Sequence, residues 1–151
     1  NMITFLEQYL DTLDPIIKKS ACGILYRIDP TDDEREFLLI RRAADDHWPL
    51  HYEFPRGKCD KKNEDLEECL KREVKEETGL EIIIKKFIGK VNYIKESKNE
   101  ISRMYVFLCE IKDGSTLKLS EEHEHFKWEK ELSILQLHLP PELYRIVAKI
   151  F

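Results

Sequence analysis

Residues 57–80 read GKCDKKNEDLEECLKREVKEETGL. Residues 64–78 of that stretch have the composition of a helix, rich in Glu, Lys, Leu and Arg, and Gly79 stands where a left-handed cap would end it. At about 100° per residue, Leu66, Cys69 and Leu70 fall on one side of such a helix. Glu73, Glu76 and Glu77, spaced i, i+3, i+4, continue the same side. A stripe that begins apolar is expected to face the core, where three carboxylates repel one another and lose hydration unless cations meet them. Lys71, Arg72 and Lys75 point elsewhere on the wheel, which leaves hard divalent cations as the expected partners. The plain alternative for an acidic run is a solvated face near a fraying helix end. Continuity with an apolar stripe argues against it here.

The run from Arg72 to Leu80, REVKEETGL, resembles the second half of the Nudix box, G-x5-E-x7-R-E-U-x-E-E-x-G-U with U aliphatic. Glu64 stands at the first glutamate, with the required seven residues before Arg72. Gly57 is the one departure: six residues, rather than five, separate it from Glu64, so the Lys-rich loop over 58–63 is one residue longer. The resemblance implies an α/β fold of the Nudix type, an α/β/α sandwich around a mixed sheet with a catalytic loop-helix-loop. It also implies substrates built as a nucleoside diphosphate linked to another group.

One hundred and fifty-one residues suit one domain with a sizeable core, and 42% hydrophobic with 36% charged residues describes a soluble globular chain. The net charge of −5 argues against broad nonspecific nucleic-acid binding, though not against a local basic pocket. No apolar run approaches the ~20 residues of a membrane span, and no signal peptide is read ahead of the fold, so a cytoplasmic protein is expected, with a nuclear one as the alternative. Cys22, Cys59, Cys69 and Cys109 are scattered without a C-x-x-C pair, which reads as reduced thiols.

Residues 2–13 carry Ile3, Leu6, Tyr9, Leu10 and Leu13 at helical spacing, so 1–19 is expected to be a helical extension and 20–151 the Nudix domain. Residues 20–28 and 36–42 read as strands around a turn at 29–33, followed by a polar loop over 43–50 and a short strand over 52–54. Residues 81–94 and 101–111 read as strands flanking a charged loop, and 126–128 as another. Pro140 and Pro141 open a last helix to Phe151, with Leu143, Ile146, Val147 and Ile150 on one face.

Cleaving a phosphoanhydride requires charge neutralised on phosphate oxygens and a water activated for in-line attack, both of which Mg²⁺ supplies, with Mn²⁺ as an alternative. The resemblance implies Glu73, Glu76 and Glu77 as metal ligands, with a carbonyl from Gly57 or its neighbour, Glu64 in support, and Arg72 holding box carboxylates in place. The surface alternative for Arg72 is an i, i+4 pair with Glu76. A general base is also needed. Residues 119–128, LSEEHEHFKW, look like an acidic solvated loop taken alone. They also resemble the S-x-E-H-x4-W stretch of animal-type diadenosine tetraphosphate hydrolases at Ser120, Glu122, His123 and Trp128. Glu122 is therefore favoured over Glu121 and Glu124 as a ligand or base. His123 could orient a phosphate, although a lone loop histidine is more often simply hydrated. Arg56, Lys58 and Arg41 or Arg42 are candidates for substrate phosphates. Tyr93, Tyr105 and Phe126 are candidates to stack on a base. His47, Trp48 and His51 could shape the pocket wall.

Three functions follow from this. The first is Mg²⁺-dependent hydrolysis of a dinucleoside polyphosphate such as diadenosine tetraphosphate, to ATP and AMP. The second is decapping or pyrophosphate removal at an RNA 5′ end, suggested by the turn FPRGKCDK over 54–61 but short of the helical regulatory domain that decapping enzymes carry. The third is a noncatalytic nucleotide-binding module, although such modules usually lose box carboxylates and this chain keeps all of them. The first is preferred: the expected partner is a small nucleotide, with an RNA 5′ end as the alternative and no membrane. The oligomeric state is not legible.

Overall fold

The computed structural model describes residues 16–42, 52–135, 137, 139 and 141–151. The expected helix over 2–13, the loop over 43–50, and His47, Trp48 and His51 lie outside them.

Strand β1 (Ile16–Ile28) organises the sheet, and alternation along it divides the core. Cys22, Ile24 and Tyr26 point into one apolar cluster, Ala21 and Leu25 into the other. The strand begins at Ile16, so residues 16–19, expected in the helical extension, are sheet instead. From Ile16 to Tyr26, β1 pairs parallel with β6 (Glu100–Ile111). Its other edge is shared: β2 (Arg35–Arg42) pairs antiparallel at Tyr26–Ile28, and β4 (Arg56–Lys58) at Ser20–Cys22. Strand β3 (Tyr52–Glu53) and β7 (His123–Lys130) both pair with β2. Strand β5 (Ile82–Lys95) closes the opposite edge against β6. The result is a mixed seven-stranded sheet.

Helix α1 (Leu66–Thr78) lies on one face, packing Cys69, Leu70 and Val74 against Ala21, Leu25, Leu38, Ile40, Phe107 and Cys109. Two C-terminal helices, α2 (Glu131–Leu135) and α3 (Pro141–Ala148), cover the other. There Ile134, Leu143, Ile146 and Val147 meet Ile24, Phe37, Leu39, Val91 and Val106. Gly89 admits α3, since a Cβ there would lie 2.9 Å from Ile146 Cγ1. This is the expected α/β/α sandwich.

Three local features depart from the expectation. The turn around Gly57 is itself a strand, β4, because its backbone pairs with Ser20–Cys22, a part of the β1 edge that β2 leaves open. Strand β7 starts at His123, so the second half of the expected acidic loop is hydrogen-bonded to β2 and only Glu121 and Glu122 form a turn. Helix α1 starts at Leu66, two residues late, because Asp65 caps it by accepting from Glu68 N at 2.8 Å.

Gly79 ends α1 at φ 73°, its N–H donating to Lys75 O at 2.9 Å, while a Cβ there would sit 2.9 Å from Thr116 O. Gly79→Ala therefore meets both backbone strain and a clash. We expect it to lower unfolding stability by roughly 1–3 kcal/mol, read by urea denaturation. A midpoint equal to wild type would show that the cap is dispensable.

Candidate metal and pyrophosphate site

The site is assembled where α1 crosses β4. Gly57 pairs with Ala21, and its missing side chain makes room for Glu73: a Cβ on Gly57 would fall 2.1 Å from the Glu73 carboxyl. The extra loop residue between Gly57 and Glu64 leaves this contact in place.

Arg72 is the centre of the acidic group, not a bystander on the far side of the wheel. Its Nε and Nη2 donate to both oxygens of Glu64 at 2.8 and 2.9 Å, a bidentate pair. Nη1 donates to Glu73 at 2.8 Å and reaches Glu76 at 3.3 Å, while Nη2 lies 3.4 Å from Lys58 O. A long, flexible side chain crosses the angular distance that a helical wheel treats as separation. Glu64 precedes the cap of α1, so it folds back onto Arg72 instead of taking a wheel position. These bonds hold Glu64 below its ordinary carboxylate range and raise Arg72.

The three box carboxylates are not equivalent. Glu76 is half exposed, with 54% of its side-chain surface open, whereas Glu73 keeps 16%. The buried stripe is instead continued by Val74 and Thr78, one position round from the expected one. Burial raises Glu73 despite the opposing guanidinium of Arg72. Glu77 is more perturbed: burial, then the charge of Glu73, push its carboxyl up to about 8 even though the Arg56 backbone N–H donates to it. Its Oε2 is buried with no hydrogen-bond partner among the described residues.

Glu53, on β3, joins this group, although its short strand carries no pattern that marks it. It lies 3.5 Å from Arg56 Nη2 and 3.7 Å from His123 Nε2, and its charge, with that of Glu122, adds to the field on Glu77. The only hint available was its place directly ahead of the Phe54-Pro55-Arg56-Gly57 turn. His123 is buried, not hydrated, and neither ring nitrogen has a hydrogen-bond partner among the described residues. Ser120 Oγ and Arg41 Nε are buried and unsatisfied in the same sense. Glu121, Glu122 and Glu124 are exposed, Glu122 in the turn leading to His123.

The basic and aromatic candidates separate. Arg56 turns toward Glu53 and Met104, with its Nη1 3.9 Å from the Met104 sulfur. Lys58 is exposed, and Arg42 ends β2 with its side chain outside the described residues. Tyr105 packs on the cluster beneath α1, whereas Tyr93 follows Val91 by two residues on the opposite face. Phe126 pairs with Ile40, which places it on the α1 face, 46% exposed. Tyr93 therefore cannot clamp a base jointly with Tyr105 or Phe126 across one face.

No three His, Cys, Asp or Glu side chains converge on one point among the described residues. The donor set nevertheless fits a hard divalent cation: carboxylate oxygens beside a backbone glycine, one of them buried and unmatched. Without a cation, Glu77 resists ionisation. Its folded carboxyl is raised, so the stabilisation it gains from holding a proton is complete below the unfolded value near 4.5 and is lost as pH rises through about 8. Metal-free Glu77→Gln should melt above wild type at pH 8, and the gap should vanish at pH 4, as read by calorimetry in chelator. A gap independent of pH would refute the burial of this charge.

Residues 22–150 match the sequence profile of the NUDIX domain. No curated protein matches the chain by sequence. Among solved structures, the Caenorhabditis elegans Ap4A hydrolase binary complex superposes with TM-score 0.72 at 22% identity, covering 88% of this chain and 94% of that one. The Escherichia coli ORF135 protein gives 0.68 at 23% identity, covering 89% of each. The NUDIX domain of Shewanella oneidensis NrtR, complexed with ADP ribose, gives 0.66 at 16% identity, covering 99% of this chain and 97% of that one. At these identities the superpositions show a shared fold. With the profile spanning residues 22–150 and the box folded around Arg72, this chain belongs to the NUDIX family.

Proposed function

We propose that this chain is a divalent-metal-dependent pyrophosphohydrolase whose substrate is a dinucleoside polyphosphate such as diadenosine tetraphosphate, cleaved to ATP and AMP. The observation that carries this reading is the unmatched Glu77 oxygen, buried beside Glu73 where Gly57 leaves room for that neighbour. Glu73 and Glu77, with Glu76 from the rim and a carbonyl at Gly57, would hold Mg²⁺ or Mn²⁺. The cation supplies neutralisation of phosphate oxygens and a more acidic attacking water.

The chain's own residues do the rest. Arg72 orients Glu73 and fixes the Glu64 loop, a role that outlasts any one substrate. Glu122, whose charge adds to the field on Glu77, would take a proton from an attacking water at its carboxylate. Arg56 and Lys58, joined by Arg42 at the end of β2, would neutralise phosphates further along the substrate. One partly exposed aromatic, Phe126 on the α1 face, suits stacking on a base there. Tyr105, on the same face, contributes packing, and Tyr93 would serve only a base reaching round to the other face. His123, next to Glu53, would set the shape of the phosphate cleft.

Two observations favour the dinucleoside over an RNA 5′ end. One is the resemblance of Ser120, Glu122, His123 and Trp128 to diadenosine tetraphosphate hydrolases, and the other is the net charge of −5, which offers little to an RNA body. No described helix is long and apolar enough to cross a membrane.

The test supplies Mg²⁺ with diadenosine tetraphosphate and, in parallel, capped RNA, and identifies the products by chromatography. ATP plus AMP is expected. Release of methylated GDP would redirect the reading to decapping, and absence of turnover on these and other nucleoside diphosphate derivatives would leave a binding module. Glu122→Gln should lower kcat by about 10²–10⁴-fold if it is the general base. Arg72→Ala should cost about 10–100-fold in metal affinity, as expected for a group that orients ligands. Near-normal rates in both variants would remove this constellation from the mechanism.

A further inference from the structure

Cys59 and Cys69 are joined as a disulfide, with Cα atoms 5.6 Å apart and a separation of 10 positions in sequence. The scattered spacing predicted four reduced thiols. Pairing is a consequence of the fold, since β4 and the first turns of α1 are brought together only when the helix docks. The bridge spans the acidic site's most distinctive segment. Cys59 follows β4 directly and extends its ladder, donating from N–H to Lys19 O at 2.8 Å. Cys69 is completely buried in the cluster beneath α1, whereas Cys59 packs against that cluster while keeping part of its surface exposed. Within the closed ring lie the lengthened Lys-rich loop and Glu64, one of the two carboxylates nearest Arg72. On either side of it along the chain lie Gly57 and Glu73, the pair whose contact shapes the site.

The other two cysteines contrast with this pair. Cys22 and Cys109 are buried on opposite faces of the sheet, and burial pushes both thiols up, Cys22 to about 12. Such thiols are poor nucleophiles. Exchange chemistry is thereby confined to one accessible sulfur, Cys59, with one resolving sulfur behind it.

We propose that Cys59–Cys69 is a thiol–disulfide exchange site taking low-molecular-weight thiols and disulfides, and that its bridge holds the Gly57 turn in register with α1 for pyrophosphate cleavage. In the oxidising direction Cys59 attacks a disulfide RSSR, forming a Cys59–SR mixed disulfide and releasing one RSH. Cys69 then attacks the Cys59 sulfur, the mixed disulfide breaks, and a second RSH leaves. The two thiol protons end on the two RSH, and the pair is oxidised by two electrons as RSSR is reduced. Reduction runs the same steps backwards, entering at the partly exposed Cys59 sulfur. With the bridge open, the loop is held by the Arg72–Glu64 pair and the Lys19 hydrogen bond without a covalent tie. The control of catalysis rests on the hydrolase reading above, and the exchange chemistry does not.

The test equilibrates the full chain in reduced and oxidised glutathione at graded ratios, then counts alkylated cysteines by mass after unfolding. A shift from four thiols to two is expected, with the bridged peptide containing Cys59 and Cys69. Tm of the bridged form should exceed that of the reduced form by about 5–10 °C, for a loop of this length and a chain of this size. Diadenosine tetraphosphate turnover with Mg²⁺ should be roughly tenfold higher in the bridged form. Cys59→Ser should leave Tm and turnover indifferent to the glutathione ratio. Four thiols at every ratio, or making the bridge without moving Tm, would overturn the proposal, and neither result requires a variant to fold. Equal turnover in both redox forms would overturn the control of catalysis. If neither form turns over while thiol count and Tm still move, the hydrolase reading fails and the exchange site stands.

Discussion

Arg72 ties together three pieces of chain: the helix on which it sits, the loop that brings Glu64, and the strand β4 whose last carbonyl it approaches. Its planar guanidinium can do so because five N–H donors radiate from one rigid group, enough for a bidentate carboxylate and a second carboxylate at once. A lysine in that place would offer a point charge without the fork. Because Glu64 and Glu73 are each mostly shielded from solvent, this one cation also makes their proximity tolerable before any metal binds.

The sheet explains why that tie falls where chemistry is feasible. Strand β1 pairs with β2 at Tyr26–Ile28 and with β4 at Ser20–Cys22, and the second pairing brings Gly57 beneath α1. Alternating side chains along β1 then commit the helix to one face and α2 and α3 to the other. The acidic group therefore sits at an edge of the α1 cluster, half buried by geometry. That position raises the carboxyl of Glu77 and leaves its oxygen unmatched, while Glu76 remains in contact with water. A cation entering such a group meets oxygen atoms already desolvated, which is where its charge counts most.

His123 and Glu53 show how easily a local reading goes astray. Along the chain, residues 119–125 are polar and acidic, and polar segments are usually loops. The segment nevertheless supplies a strand, because β2 has an open edge that β7 completes, and the imidazole is carried inward with it. Glu53 belongs to a strand of two residues, too short for any periodicity to register. The Cys59–Cys69 bridge is a third instance, since spacing of ten residues fits neither a helical face nor a metal motif.

The box helix, its glycine cap, the positions of the longer strands and the split between helical and extended segments were legible in the chain, because each depends on near neighbours: a 3.6-residue stripe, a residue free to take positive φ, runs of alternating apolar side chains. The family resemblance rested on the same kind of information, fixed spacings within a short window. What could not be read were properties that exist only after distant segments meet. Which carboxylates are buried, that Arg72 takes Glu64 as a bidentate partner, that Tyr93 and Tyr105 part to opposite faces, and that two scattered cysteines touch are all set by docking α1 onto β4 and β1. Burial and charge proximity are functions of three-dimensional distance, and a helical wheel measures only angle.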